Sequence, residues 1–413
     1  MLSKTPAVLV TFQRDSRSRA AKRNGIILSF RSACFQLWLA PGVLRSQRVT
    51  RKRVYIIAPG GALARGGMGR MVAHLTDRLA ADRALAIATI DTYGRHVNEA
   101  GAQYLMPLHF FLAVIRLLLA CTTRRIALAH VQMAAYGSVY RKSVMMLICR
   151  VFRVPVVLHI HGGDLDRFCG ELDAPRLNAL RWIVGAVSEV IVLGEYWREF
   201  VVSKLAVPRE RVTIVYNAVP RPVLVADKGR REACELLFLG MVWKEKGIEE
   251  LLEALSLPVM SGANWHLTIA GIGDIAHYQA RACQLGIAER IAFVGWADGR
   301  AAQRLLERSD ILVLPSHFEC FPMAVIEAMA YGLAIVVTPV GSVREAITDE
   351  ETGLLVPIGD SVSLARAMMR LIDDPALRRR LGTHARARFC QAFDLDIFER
   401  RIRRIYRKHM IAG

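Results

Sequence analysis

Acidic residues are the scarce class in this chain of 413 residues: 37 Asp and Glu stand against 56 Lys and Arg, a formal net charge of +19. Such an excess attracts something acidic, whether nucleic acid, an anionic lipid surface or phosphorylated substrates. Clustered cysteines are missing too. The eight thiols at 34, 121, 149, 169, 234, 283, 320 and 390 are dispersed, with no two at a metal-ligand spacing. That excludes a structural zinc module and a disulfide scaffold, and fits thiols kept reduced and buried in a reducing compartment. No long apolar run is present either. The longest, residues 104–120, contains His109 and Arg116 and falls short of the roughly 20 residues a membrane-spanning helix needs. It reads as a helix partly in the core and partly facing a membrane. The run after Asn24 is broken by Arg31 and lacks a cleavage site, which excludes a clean signal peptide. Aromatics make up 8% and are not interleaved with the basic clusters, so a stacking platform for single strands is excluded and a membrane surface is the better partner.

What is present is ample apolar material, 53% of residues, enough for two cores of about 150 to 200 residues each. The charge is uneven. Residues 1–53 carry twelve Lys and Arg against Asp15 alone, a net +11, which leaves +8 for the other 360; a second basic cluster runs from Arg378 to Lys408. Residues 1–53 read either as a basic, membrane-leaning extension or as residues upstream of the native start. From there strands and helices alternate, the signature of a parallel α/β sheet. A strand at 54–58 leads through Gly66-Gly67 into a helix ending near residue 81. Strands at 84–90, 127–131, 155–161, 189–193 and 212–216 follow, with helices at 108–121 and 137–151. The strand ending His159-Ile-His161-Gly162-Gly163 places an imidazole at the carboxyl edge of the sheet, where open α/β folds bind ligands.

A polar, proline-bearing piece at 220–233 separates this half from the next. The second half opens with the strand 236–240, then Lys246-Gly247 and a helix at 248–255. The strand at 267–271 runs into Gly271-Ile-Gly273-Asp-Ile-Ala276, the spelling of a dinucleotide fingerprint; the ribose-binding acid expected about 20 residues later is absent, because the next strand, 291–294, ends in Gly295-Trp296. The densest segment is 310–338: a strand at 311–314, a loop carrying Glu319, a helix at 322–331 with Pro322 in its first position, Gly332 as the stop, and a strand at 334–337. Glu319 and Glu327 cannot share a helical face, so they are expected to address different parts of one ligand lying across the helix start. The free N–H groups and positive dipole end there suit a phosphate. A phosphate at the dipole with carboxylates reserved for hydroxyls points to a nucleotide sugar.

Glu319 and Glu327, in the setting Pro-Ser-x-x-Glu-x-Phe-Pro-x-x-x-x-Glu-Ala-Met-Ala-x-Gly, resemble the signature of the retaining glycosyltransferases of family GT4, which have the GT-B fold. The resemblance extends over residues 54–410. It implies two Rossmann-like α/β domains facing each other across a cleft: 54–220 for the acceptor, a linker at 221–233, 234–393 for the donor, and a helix at 394–413 crossing back to the first domain. It further implies that Glu327 holds the ribose hydroxyls, Glu319 the sugar hydroxyls, and Lys246 with the amides around Phe321 the diphosphate. Gly240, Gly271, Gly273, Val294, Cys320 and Pro322 complete the expected donor site. Gly66, Gly67 and His161 are expected towards the acceptor, with Glu319, His161 and Lys246 as the catalytic candidates. No cofactor and no metal are expected; the Asp164-Leu-Asp166 and Asp394-Leu-Asp396 triplets lack a metal-binding setting.

Three positions depart from the pattern, the first being Ala218, which follows Asn217 where the family has an Asn-Gly turn before the linker. Met241 stands where the Arg of Gly-Arg-x-x-x-x-Lys-Gly is usual, so half of the cationic clamp is missing, and Cys320 replaces the usual glycine after Glu319. The expected activity is transfer of a hexose-type sugar to a glycan or a polyprenyl-diphosphate-linked acceptor in cell-surface polysaccharide or glycolipid synthesis, on the cytoplasmic face of a membrane. A nucleotide-sugar epimerase of the same architecture, a nicotinamide-dependent oxidoreductase resting on the 271–276 fingerprint, and a basic nucleic-acid binder resting on charge are the competing readings.

Overall fold

The computed structural model describes residues 53–60, 67–80, 85–94, 105–223 and 232–411. Gly66 and residues 1–52 lie outside them. The first half runs β1 (Arg53–Ala58), α1 (Gly67–Ala80), β2 (Ala86–Asp91), α2 (Met106–Thr122), β3 (Ile126–Met133), α3 (Gly137–Val151), β4 (Val156–Ile160), α4 (Leu165–Glu171), α5 (Ala174–Gly185), β5 (Glu189–Val192), α6 (Glu195–Leu205) and β6 (Val212–Ile214). Its strands pair in the order β2-β1-β3-β4-β5-β6, all parallel. Parallel strands covered by helices on both faces read as unbroken apolar runs; β4, Val-Val-Leu-His-Ile, is buried at every position.

The second half repeats the plan with β7 (Cys234–Leu239), α7 (Ile248–Ser256), β8 (Trp265–Ala270), α8 (Ile275–Gln284), β9 (Ile291–Gly295), α9 (Gly299–Arg308), β10 (Ile311–Leu314), α10 (Met323–Ala330), β11 (Ala334–Val337), α11 (Val343–Ala346), β12 (Leu354–Leu355), α12 (Ser361–Asp373) and α13 (Pro375–Ala392). The order β12-β11-β10-β7-β8-β9 is the doubly wound arrangement, and it reverses direction between β7 and β10. Ligands of such sheets bind beyond the carboxyl ends of the strands at that reversal. Aspartates at 298, 360 and 374 cap α9, α12 and α13 by accepting from the free N–H groups of the first turn. Pro322 precedes α10 as its cap, with an extended backbone (ψ 123°), rather than opening the helix. Gly332, φ 66°, ends it.

A last helix, α14 (Leu395–Ile411), returns to the first half and packs on α1 and β3. The two chain crossings lie side by side: Val219 and Leu395 exchange backbone bonds with Phe393 and Val219, and Arg221 pairs with buried Asp394 at 2.6 Å. The fold is therefore the two-domain α/β architecture that the resemblance implied.

Candidate active site

The loops after β7 and β10 are stapled together at the reversal. Gly247 has φ 72°, and a Cβ there would lie 2.0 Å from the Pro315 carbonyl oxygen, so only glycine allows this approach. The His317 N–H donates to the Glu245 carbonyl (2.9 Å) and its Nε2 lies 2.7 Å from Glu250 Oε1. These contacts bring Lys246 Nζ to 2.6 Å from Glu319 Oε1, which also accepts from the Ser316 hydroxyl at 2.9 Å. On the other side Gly341, φ 53°, presses so closely that a Cβ would meet the Glu319 carbonyl at 2.0 Å.

Glu319 is thus fixed just ahead of α10, a helix buried on every face. Glu327 is the helix's one charged residue, and it does not sit on a solvated face. Burial raises its carboxyl pKa, while Arg70 acts the other way. Arg70 comes from α1 in the first half, and its Nη1 donates to Glu327 Oε1. The starts of α1 and α10 face each other: a Cβ on Gly67 would lie 3.0 Å from Met323 Cγ.

Between the halves lies a cavity of about 560 Å³. It brings together the sequence-predicted Gly67, His161, Gly240, Lys246, Gly271, Glu319, Cys320, Phe321 and Pro322. Glu327, Gly273 and Val294 do not line it. Glu327 is turned to Arg70. Gly273 is packed where a Cβ would meet the Val242 carbonyl at 2.1 Å, a backbone role. Val294 lies on the edge strand β9, whose residues alternate half-buried and exposed, and it points to a neighbouring surface depression. Asp166 of the first Asp-x-Asp triplet accepts from the Tyr196 hydroxyl (2.8 Å), and Asp394 of the second holds Arg221. Among the described residues no group of three or more metal-ligating side chains gathers.

His161 enters the cavity from the end of β4 as part of a chain of hydrogen bonds. Its Nε2 meets Gln132 Oε1, the Gln132 amide nitrogen is 3.0 Å from His130 Nε2, and His130 Nδ1 is 2.6 Å from the Tyr406 hydroxyl of α14. The polarity closes only one way: His161 Nε2–H donates to Gln132, Gln132 to His130, and His130 to Tyr406. Burial pushes the His161 and His130 pKa values down to about 3, so both rings are neutral. His159, two residues earlier and so on the same strand face, lies with its ring 4.0 Å from that of His161 and its nitrogens unpartnered.

Two family profiles match in tandem: "Glycosyltransferase Family 4" over residues 65–221 and "Glycosyl transferases group 1" over 227–388. This chain is a GT-B glycosyltransferase of group 1. An uncharacterized glycosyltransferase of Methanocaldococcus jannaschii is 28% identical over 62% of this chain and 70% of its own. The glycogen synthase of Mycobacterium tuberculosis is 29% identical over 60% and 61% respectively, so the match spans under two thirds of that relative. Among solved structures, sucrose-phosphate synthase from Thermosynechococcus elongatus superposes with a TM-score of 0.70 at 21% identity, covering 88% of this chain and all of that one. The Anabaena protein HepE, solved with UDP and glucose, gives 0.66 at 16%, covering 86% and 99%.

In this glycosyltransferase Met241 lines the cavity without charge. The Cys320 thiol lines it too, held protonated by burial and the nearby Glu319. Sequence reasoning missed Arg70, Gln132, Trp296 and the site role of Asn217, whose amide donates to the Phe321 carbonyl (3.1 Å) while its Oδ1 is buried unpartnered. Arg70 had a faint signal, as the first cation after the glycine pair. Gln132 had none, because a polar residue inside an apolar strand says only that it has a partner.

Proposed function

We propose that this glycosyltransferase moves a hexose-type sugar from a nucleoside diphosphate sugar, with retention of configuration and without a metal ion, to a glycan or polyprenyl-diphosphate-linked acceptor in cell-surface polysaccharide or glycolipid synthesis. The observation that carries the reading is the Ser316–Glu319–Lys246 cluster, fixed at the start of a buried helix inside an interdomain cavity. The helix start and Lys246 suit a diphosphate, whose charge grows as it leaves. Glu319 is then released to accept from hydroxyls of the transferred sugar, and neutral His161, anchored through Nε2, presents its remaining lone pair to the same region. UDP, glucose and UDP-glucose appear in the solved complexes of the Anabaena neighbour, which supports the donor class.

The membrane-linked part of the reading rests on α2. Leu105, Leu108, Phe111, Leu112 and Leu119 are exposed along one side of it, Phe111 by 59%. Residues 105–163 contain no acidic residue and five exposed arginines, at 116, 124, 125, 150 and 153, which suits an anionic bilayer on the inner face of the cell membrane. Among the described residues no helix is long and apolar enough to cross a membrane.

The test is release of nucleoside diphosphate by the full chain from a panel of UDP-, GDP- and ADP-sugars. One donor should be hydrolysed slowly without acceptor, and Lys246→Ala or Glu319→Ala should abolish the release. Silence across the panel, with no thermal stabilisation by any nucleotide, would overturn the reading. Release of an isomerised free sugar would favour the epimerase instead.

A further inference from the structure

Among the described residues two cations line the cavity, Arg70 and Lys246, and each is paired with a carboxylate of one short segment, Lys246 with Glu319 and Arg70 with Glu327. Met241, where the resemblance expects an arginine, lines the same cavity and brings no charge. We propose that Arg70, carried by the first half, is the second cation of the donor diphosphate site, taking the place left by Met241, and that its pairing with Glu327 is the arrangement it adopts without donor. This rests on the nucleotide-sugar reading above.

The pair is incompletely satisfied on both sides. Arg70 Nε and Glu327 Oε2 are buried with no partner, where an arginine and a carboxylate can form a two-bonded fork. An orphaned donor and an orphaned acceptor in one ion pair mark a contact that another ligand can complete, because each unmet buried group costs free energy. Arg70 is also the accessible member, its side chain 35% exposed against 11% for Glu327. The facing starts of α1 and α10 put it beside the helix N-terminus where a phosphate sits best.

Charge decides the rest. A diphosphate brings at least two negative charges, and among the described cavity residues of the second half Lys246 meets one. His161 is neutral and adds none. When donor enters, Arg70 turns its planar fork to the phosphate oxygens, which it matches better than it does a single carboxylate oxygen. Glu327 is thereby freed to accept from ribose hydroxyls. The two cation–carboxylate pairs are exchanged for two cation–phosphate and two carboxylate–hydroxyl contacts, so that every one of these groups keeps a hydrogen-bond partner while the cations turn from the carboxylates to the phosphates. Since Arg70 and Lys246 belong to different halves, the diphosphate itself joins them.

The experiment is calorimetric titration of the full-length protein with the nucleoside diphosphate that best stabilises it, and with the matching nucleoside. Arg70→Ala should weaken the diphosphate by about 10- to 100-fold and leave the nucleoside unchanged. Adding Met241→Arg to that variant should restore most of the loss. Should Arg70→Ala fail to fold, Arg70→Lys, which keeps the charge and loses the fork, should weaken the diphosphate by a smaller factor. Diphosphate binding lost in Lys246→Ala but intact in Arg70→Ala or Arg70→Lys overturns this assignment alone. An equal loss of nucleoside and diphosphate overturns it as well, since Arg70 would then be holding the fold. Absence of diphosphate binding in the unmodified protein removes the donor reading and this inference together.

Discussion

At the scale of single residues the histidines are the most heavily committed groups. His130 and His161 are neutral with pKa values lowered to about 3, and His159 between them is likewise held well below the usual imidazole range by burial and by both neighbours. In the unfolded chain each titrates near 6.5. Between about pH 3 and 6.5 the unfolded chain therefore binds more protons than the fold, so stability rises with pH across that window and is lost as pH falls through it. Urea unfolding from pH 8 to 5 should show a midpoint that is flat above pH 7 and drops steeply below 6.5. A midpoint unchanged at pH 5 would mean that the stack is protonated or open in the fold. Gln132 is the positioning residue of this chain. Replacing it by Leu removes the acceptor that fixes the His161 ring, and kcat is expected to fall about tenfold with the donor KM unaltered. A change confined to KM would move Gln132 from positioning to donor binding.

At the scale of elements, α2 makes the sharpest demand. Its buried side is small, Ala113, Leu117, Ala120 and Cys121, while Leu108, Phe111, Leu112 and Leu119 face outward. A soluble helix ordinarily does the reverse. Vesicles containing about a third phosphatidylglycerol should co-sediment with the full chain and release it in high salt, whereas neutral phosphatidylcholine vesicles should bind weakly. Phe111→Asp with Leu119→Asp should abolish binding and leave release of diphosphate from a soluble donor intact. If that variant instead becomes monomeric from a dimer, the face belongs to a second copy of the chain. The strands and helices were legible in the sequence because parallel strands are apolar runs and glycine or aspartate punctuates their ends. The 311–314 and 334–337 strands were read to the residue. What escaped was whatever depends on two elements meeting. Arg70 and Glu327 are 257 positions apart and Gln132 and His161 are 29, and no periodicity encodes such pairings. Val294 was misplaced for a related reason: β9 is an edge strand, where alternation sends every second side chain away from the site.

At the scale of the whole molecule, α14 ties the chain's end to its beginning. Tyr406 is fully buried against His130, Arg78 reaches Asp396 at 3.1 Å, and Lys408 and His409 meet Glu189 at 2.9 and 2.6 Å. All of these partners lie in the first half, although the helix follows the second in sequence. Each half is built on its own parallel sheet and can carry its own unfolding equilibrium, and α14 stabilises the half it lands on. Tyr406→Ala would leave a cavity under α14 and an orphaned His130 nitrogen, a loss of about 3 to 5 kcal/mol for a large buried aromatic. Tyr406→Phe, which removes the hydroxyl alone, should cost about 1 kcal/mol. In calorimetry of the full chain, Tyr406→Ala should separate the melting into two transitions. The first half should unfold early, and the donor half should stay at its original temperature and still be raised by nucleoside diphosphate. A single transition shifted as one unit would show instead that the contacts across the cleft, Arg70 with Glu327 and Asn217 with the Phe321 carbonyl, bind the halves into one cooperative body.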